Sequence, residues 1–163
     1  MSRKMREARV KPPARPAKVA AKPNLTWPMV LLALVGLAAS GYLSYSTATS
    51  GALVCGGIGN CDAVQASAYA RLMGVPVAYL GFGSYLAVGL GLAGMATPQR
   101  DVRFLALLGV LVVSLAGALF SAFLTYTESF VLQAVCPWCV LSAATMIALA
   151  GLAFVQVRRE SAN

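Results

Sequence analysis

Four long apolar stretches follow one another along the chain, and shorter segments between them carry most of the polar residues. Each stretch reaches about 20 residues, the length that a helix needs to cross a bilayer. No alternation of period two competes with a helical interpretation. The pattern therefore predicts an all-α membrane protein, a four-transmembrane-helix bundle, with spans at about 27–45, 75–97, 104–127 and 135–157.

The composition agrees with this fold class and narrows the chemistry. Hydrophobic residues make up 59% of the chain and charged residues 11%, whereas a soluble domain carries about 25% charged residues. The second span has small residues at close spacing, Gly83, Ala87 and Gly91, which let helix backbones approach in a bundle. The chain contains no histidine, which removes the commonest general base and most zinc and haem sites.

Positive charge is concentrated at the N-terminus. Eight of the 13 basic residues fall within the first 22 positions: Arg3, Lys4, Arg6, Arg9, Lys11, Arg15, Lys18 and Lys22. Prolines are frequent there too, so we expect residues 1–26 to form a disordered, basic, Pro-rich cytoplasmic tail. A nucleic-acid-binding arm is the alternative, but no aromatic residue is interleaved with the basic ones.

The remaining basic residues predict the orientation of the spans. Apart from Arg71, they lie in "PQRDVR" between the second and third spans or in the C-terminal segment 158–163. Four spans place these segments and the tail on one side, which the positive-inside rule makes cytoplasmic. Both termini are then cytoplasmic and the loop 46–74 is periplasmic. The alternative is a signal peptide cleaved near "SYSTATSGA", which leaves three spans.

The four cysteines all fall on the predicted periplasmic side, where thiols are oxidised. Cys55 and Cys61 lie in the loop between the first two spans, and Cys136 and Cys139 lie at the outer end of the fourth. This one-sided distribution favours redox chemistry outside the cytoplasm.

The first cysteine pair combines a flexible linker with a helical pattern. Three of the five residues between Cys55 and Cys61 are glycines, so the linker is free to swing. Asn60 is a candidate N-cap, and apolar residues at helical spacing predict a short amphipathic helix from Cys61 to Leu72, ended by Gly74. A static disulfide that closes a small loop is the alternative, but a flexible linker favours a mobile dithiol.

The second pair is the tetrad "CPWC", whose spacing places both sulfurs on one face of a helix. Pro137 suits the first helical turn, which puts Cys136 at or near the N-cap. The helix dipole and free N–H groups there stabilise a thiolate and lower the pKa of Cys136. Cys139, one turn deeper, is expected to face the bundle interior.

Several interpretations of the four cysteines remain open. A zinc site is one, although five residues between the first two cysteines exceed the usual zinc-ligand spacing. Two structural disulfides in a non-enzymatic membrane scaffold or small transporter subunit are another, but the spans lack the charged residues that transport sites usually need. An electron relay uses both pairs, because successive thiol–disulfide exchange can link a soluble dithiol to a lipid-dissolved two-electron acceptor such as a quinone.

The order of motifs resembles the bacterial vitamin K epoxide reductase (VKOR) homologues. Cys55 and Cys61 come first, Ser67 follows, "GVPVAYLGFGSY" leads into the second span, and "CPWC" opens the fourth. The resemblance covers residues 27–157. The DsbB family also has four helices, but its closely spaced cysteine pair lies in the first outer loop, whereas here that pair comes second.

The resemblance implies an enzyme of the bacterial cytoplasmic membrane that oxidises a periplasmic thioredoxin-like or DsbA-like protein and reduces a quinone, either ubiquinone or menaquinone. By this analogy Cys55 and Cys61 take electrons from the partner, one of them attacks Cys136, and Cys139 reduces the quinone. Ser67 matches the family serine beside the quinone.

Three further expectations accompany the resemblance. The chain ends six residues after Val157, without the fused thioredoxin-like domain of many bacterial members, so we expect the partner to be a separate protein. Trp138 is a candidate quinone contact because it lies inside the dithiol motif. Nothing in the sequence indicates epoxide chemistry, a bound metal or nucleic acid.

Overall fold

The computed structural model describes residues 25–49, 51, 55 and 60–162. The predicted N-terminal tail lies outside the described residues except for its last two positions. The glycines between the first two cysteines lie outside them as well.

The described residues form four long helices, as the apolar pattern predicts. They are α1 (Thr26–Thr49), α3 (Val77–Gly94), α4 (Arg100–Thr127) and α5 (Pro137–Ser161), and a short helix α2 (Cys61–Ala66) lies between the first two. A π-helical turn, Glu128–Leu132, extends α4. All four long helices are long and apolar enough to cross a membrane. The predicted fold class, an all-α four-helix membrane bundle, is confirmed.

Each long helix packs against two others: α1 and α4 both contact α3 and α5. The bundle is therefore a square in which neighbouring helices run antiparallel. One end, here the cysteine end, holds the end of α1, the start of α3, the end of α4 and the start of α5. The other, here the basic end, holds the 95–99 connection and the ends of the chain's described part, and an ion pair between Arg103 and Glu160 (3.4 Å) lies there.

The apolar core lies between the middle of the bundle and the basic end. Met29, Leu107 and Leu149 have no exposed surface there. Gly91 on α3 lies so close to Val110 on α4 that a Cβ atom would overlap its side chain, as expected from the small residues of the second span. Gly83, from the same set, faces open space instead.

A buried tyrosine links helices across the square. Tyr85 on α3 is 1% exposed, and its hydroxyl donates a 2.8 Å hydrogen bond to the Ser142 carbonyl oxygen on α5. The hydroxyl also shares a hydrogen bond with the Thr145 hydroxyl. Gly36 on α1 makes room for the ring, because any Cβ at that position would overlap it. This polar contact divides the tightly packed half from the cysteine end.

The outward faces of the helices carry large apolar side chains. Exposed examples are Leu34, Leu90, Leu105, Leu119 and Phe154. Exposure of such an extended apolar surface to water is unfavourable, and a lipid bilayer provides an apolar environment for it.

A small cap, residues 60–76, covers the cysteine end, and here the predicted helix was too long. Asn60 is the N-cap, its side chain accepting the Ala63 N–H at 3.2 Å, but α2 ends at Ala66. The Ser67 hydroxyl donates to the Val64 carbonyl oxygen (2.7 Å) and its backbone is extended, which stops the helix.

The rest of the cap is a 3₁₀ turn, Ala68–Ala70, and a two-stranded hairpin of β1 (Arg71–Leu72) and β2 (Val75–Pro76). Met73 and Gly74 have positive φ angles of 52° and 86° and form the tight turn between the strands. The cap thus folds back onto the start of α3.

Candidate functional site

The first cysteine pair forms a disulfide. Cys55 and Cys61 are bonded, with their Cα atoms 6.3 Å apart. Cys61 begins α2 and is 1% exposed, whereas Cys55 is half-buried. The two sulfurs of this bond therefore differ in accessibility.

The second pair consists of free thiols. Cys136 is the N-cap of α5 and fully buried, with Pro137 in the first turn as predicted. A hydrogen bond from the Cys139 thiol is the main cause that lowers the pKa of Cys136 below its usual value, and the N–H groups of Cys139 and Trp138 act in the same direction. Burial and the nearby Glu128 oppose the shift. The direction agrees with the sequence-based expectation, but the neighbouring thiol contributes most.

The fold brings the two pairs together. Cys61 and Cys136 belong to one buried apolar cluster, and Cys55 and Cys139 pack against it. A backbone hydrogen bond from the Asn60 N–H to the carbonyl oxygen of residue 135 (3.2 Å) joins the start of α2 to the residue before Cys136. A disulfide and a dithiol are thereby held side by side.

A cavity of about 480 Å³ lies beside the dithiol, with walls from the cap and from all four long helices. Most of the lining surface is apolar, and eight of the lining residues carry hydroxyl groups. This volume is in the range of small-molecule sites. Leu72, Leu80 and Val112 in its lining are exposed, so the cavity opens toward the lipid-facing surface between α3 and α4.

Two of the three predicted quinone-contact residues line this cavity. Cys139 and Ser67 both do so. Trp138 is not part of the lining; its ring lies 5.2 Å from that of Tyr42, centroid to centroid, and faces α1. A quinone contact of Trp138 stays a prediction, and the cavity does not support it.

Glu128 is a residue whose place in the site the sequence analysis missed. It is 4% exposed, and its carboxylate accepts the Cys136 N–H at 3.2 Å. Glu128 and Cys139 both line the cavity, where the carboxyl group lies close enough to the Cys139 thiol to interact with it. An isolated acid between two long apolar stretches was the available clue, because a buried carboxylate is costly unless it has a role or a partner.

A membrane bundle that holds a disulfide and a dithiol side by side defines a class, the membrane thiol–disulfide oxidoreductases. Within the described residues, no group of three or more histidine, cysteine or acidic side chains is arranged to hold a metal ion. The family model of the Vitamin K epoxide reductase family matches residues 27–154.

The chain therefore belongs to the VKOR family, as its motifs suggested. Membership implies a multi-pass membrane oxidoreductase that works with thiols and quinones. Family members generally pair with a thioredoxin-like redox protein.

Proposed function

We propose that this protein carries electrons from the dithiol of a separate thioredoxin-like or DsbA-like protein to a membrane quinone, ubiquinone or menaquinone, and thereby supports disulfide formation. The observation that carries the proposal is the packing of both cysteine pairs in one cluster, with Cys139 on the wall of a cavity that opens toward lipid. Each pair can then exchange with the next carrier without leaving the site.

The proposed setting is the cytoplasmic membrane of a bacterium, with the cysteine end facing the periplasm. Among the described residues, the basic side chains other than Arg71 lie on the helix ends that form the basic end: Arg100, Arg103, Arg158 and Arg159. The positive-inside rule places that end in the cytoplasm.

The first step of the proposed relay takes place at Cys55. A thiolate of the partner attacks a sulfur of the Cys55–Cys61 disulfide, and the half-buried Cys55 is reachable whereas Cys61 is not. The S–S bond breaks, a mixed disulfide forms at Cys55, and Cys61 leaves as a thiolate. The second thiol of the partner then attacks the mixed disulfide, which oxidises the partner and leaves the loop pair reduced.

The second step passes the electrons to α5. Cys61 shares a buried cluster with Cys136, so its thiolate attacks Cys136 of an oxidised Cys136–Cys139 pair and releases Cys139. Cys55 then attacks Cys61, restores the loop disulfide and releases Cys136. The resulting state, a loop disulfide beside two free thiols, is the state that the structure presents.

The last step regenerates the disulfide on α5. A bound quinone supplies an acceptor for two electrons and two protons, and the cavity fits such a molecule in volume, apolar lining and access from lipid. Cys139 lies on the cavity wall and delivers the electrons, while Cys136 forms the new bond with it. We assign the Ser67 side chain, also on the wall, to the quinone head group: its hydroxyl, which donates to the Val64 carbonyl oxygen here, rotates to donate to a quinone oxygen.

A reconstituted assay tests the proposal. The purified protein in nanodiscs receives a reduced thioredoxin-like protein and a soluble ubiquinone or menaquinone analogue, and the absorbance of the quinone is followed. We expect wild-type turnover and none with Cys139→Ser, while Ser161→Ala, a control at an exposed hydroxyl of the basic end, keeps its activity. Full turnover with Cys139→Ser contradicts the relay, and no partner oxidation by the wild type favours a non-enzymatic scaffold.

A trapping experiment tests the order of the loop cysteines. A partner that lacks its second cysteine cannot complete the exchange and accumulates as a mixed disulfide. Peptide mass spectrometry is expected to locate the link at Cys55. A link at Cys61 reverses the assignment of the two loop positions.

A further inference from the structure

One buried acidic group at the site has no role in the relay as described. Among the described acids, Asp62 and Asp101 are exposed, and Glu160 pairs with Arg103 at the basic end. Glu128 differs from them, because it is 4% exposed and lies at the cysteine end. Burial of a carboxyl group is costly unless its surroundings compensate for the lost water.

The contacts of Glu128 connect the dithiol with the cavity. Its carboxylate accepts the Cys136 N–H at 3.2 Å, and the Cys139 thiol lies on the wall of the same cavity as Glu128. The described residues that line the cavity include no lysine or arginine; besides Glu128, their titratable groups are Tyr69 from the cap and Cys139 from α5. The hydrogen bond from the Cys136 N–H holds the carboxylate at the dithiol, and no cationic side chain of that lining competes for it.

The π-helical turn fixes this placement. The Glu128 carbonyl oxygen accepts the N–H groups of Gln133 and Ala134, so the chain folds back sharply after α4. Gln133 has a positive φ of 50°, which turns the chain toward the start of α5. An ordinary continuation of α4 would carry the chain past the dithiol instead.

We propose that Glu128 is the proton acceptor for the Cys139 thiol when the dithiol is oxidised. This inference rests on the proposed function. Oxidation of the pair breaks two S–H bonds, forms the Cys136–Cys139 bond, and gives two electrons and two protons to the quinone. The Glu128 carboxylate takes the Cys139 proton and passes it on to the quinone, and solvent carries the other.

A carboxylate suits this place because it can take up the thiol proton without changing the net charge of the site. The thiolate is the reactive form of a cysteine, and creating a new charge in an apolar site is expensive. Transfer of a proton from Cys139 to Glu128 moves the negative charge from oxygen to sulfur without adding one. Cys136 cannot be the final acceptor, because its own sulfur enters the disulfide.

A purely structural role is the competing explanation, since Glu128 also binds the backbone N–H at the start of α5. Glu128→Gln separates the two roles, because an amide oxygen still accepts that N–H but cannot take up a proton. Glu160→Gln is the matched control, the same substitution at the basic end. The two half-reactions of the enzyme are then measured separately.

In the first half-reaction, oxidised protein without quinone reacts once with reduced partner. We expect Glu128→Gln to stay within about twofold of the wild type here. In the second, the reduced protein is mixed with the quinone analogue, and we expect a slowing of about 100-fold, the usual size of general-base catalysis. Equal loss in both half-reactions indicates a structural role and overturns the inference, as does wild-type speed in both.

A second readout needs no quinone. In a Cys136→Ala background, which leaves Glu128 as the facing acceptor, Cys139 is alkylated with a small apolar maleimide at several pH values. With Glu128 present the rate is expected to change little across neutral pH, because the proton goes to an internal base. With Glu128→Gln added, the rate is expected to rise about tenfold per pH unit, in proportion to the thiolate.

This second readout also decides the matter if Glu128→Gln does not fold. A tenfold rise per pH unit in the Cys136→Ala protein alone overturns the inference. Wild-type protein that oxidises its partner but fails to reduce quinone overturns the proposed function itself. Normal wild-type turnover combined with an unaffected Glu128→Gln variant leaves the proposed function intact and removes only the role of Glu128.

Discussion

The two halves of the bundle are built from the same four helices but packed in opposite ways. Toward the basic end, side chains such as Met29, Leu107 and Leu149 are fully buried, and Gly91 allows direct contact between helices. Toward the cysteine end, the helices leave a cavity of about 480 Å³ and enclose a buried acid. The basic half therefore stabilises the bundle by close packing, whereas the cysteine half holds the reactive groups and the cavity.

The boundary between the halves is a polar contact, not an apolar layer. Ser142 belongs to both sides: its carbonyl oxygen accepts the Tyr85 hydroxyl, and the residue also lines the cavity. The two halves are therefore expected to respond differently to substitution. Changes at the cysteine end should affect turnover, and changes below the boundary should affect stability.

The largest expected effect is the loss of turnover in Cys136→Ser. The substitution removes a sulfur that both the loop pair and Cys139 need, so quinone reduction should fall to background. The thermal unfolding midpoint in detergent should change little, because serine is similar in size. A variant that keeps more than a trace of activity would show that electrons bypass Cys136.

The reverse behaviour is expected for Gly36→Ala in the packed half. The new Cβ overlaps the ring of Tyr85, and overpacking of this kind costs about 1–3 kcal/mol. Gly109→Ala is the matched control, since nothing lies within 4 Å of a Cβ at that position. Unfolding curves in detergent should show a lower stability for Gly36→Ala only. Equal stability of the two variants contradicts the tight packing.

A smaller loss of stability is expected for Tyr85→Phe. The substitution removes the hydrogen bond to the Ser142 carbonyl oxygen and leaves the Thr145 hydroxyl without that neighbour, at a cost of about 1 kcal/mol. The same change at Tyr79, which is 40% exposed, serves as control. A large loss of turnover with little loss of stability would show that Tyr85 contributes to the reaction at the cysteine end.

The smallest expected effect is a lowered titration midpoint of the Cys136 thiol. Because its pKa lies below the usual thiol value, more thiolate is present at neutral pH than in a free cysteine. The ultraviolet absorbance of the thiolate, compared with that of Cys136→Ser, should show this midpoint. Cys139→Ala removes the largest cause and should shift the midpoint upward; an unchanged midpoint assigns the effect to the helix terminus instead.

The features that the sequence predicted correctly depend on local patterns. Span number follows from apolar length, and the place of Cys136 follows from a proline in the first turn of a helix. The N-cap role of Asn60 likewise depends only on a few neighbouring residues.

The features that it missed depend on contacts between distant residues or on competing local bonds. Burial of Glu128 requires the π-helical turn to return the chain to α5, and no periodicity encodes that. The contact between Gly36 and Tyr85 joins two helices that are far apart in sequence. The predicted end of the short helix, Leu72, was wrong. The prediction used the spacing of apolar residues alone, whereas the Ser67 hydroxyl binds a backbone carbonyl oxygen and ends the helix at Ala66.

The full burial of Cys136 has a consequence for selectivity. Its sulfur has no exposed surface, so small thiols and oxidants dissolved in the surrounding water cannot collide with it. Cys136 is thereby shielded from water, and in the proposed relay only the loop cysteines reach it from the water side. In that relay, electron exchange between Cys136 and small molecules in water requires the cap to move away from the start of α5. The backbone hydrogen bond between Asn60 and residue 135 opposes this movement, so it also limits the rate of unwanted exchange.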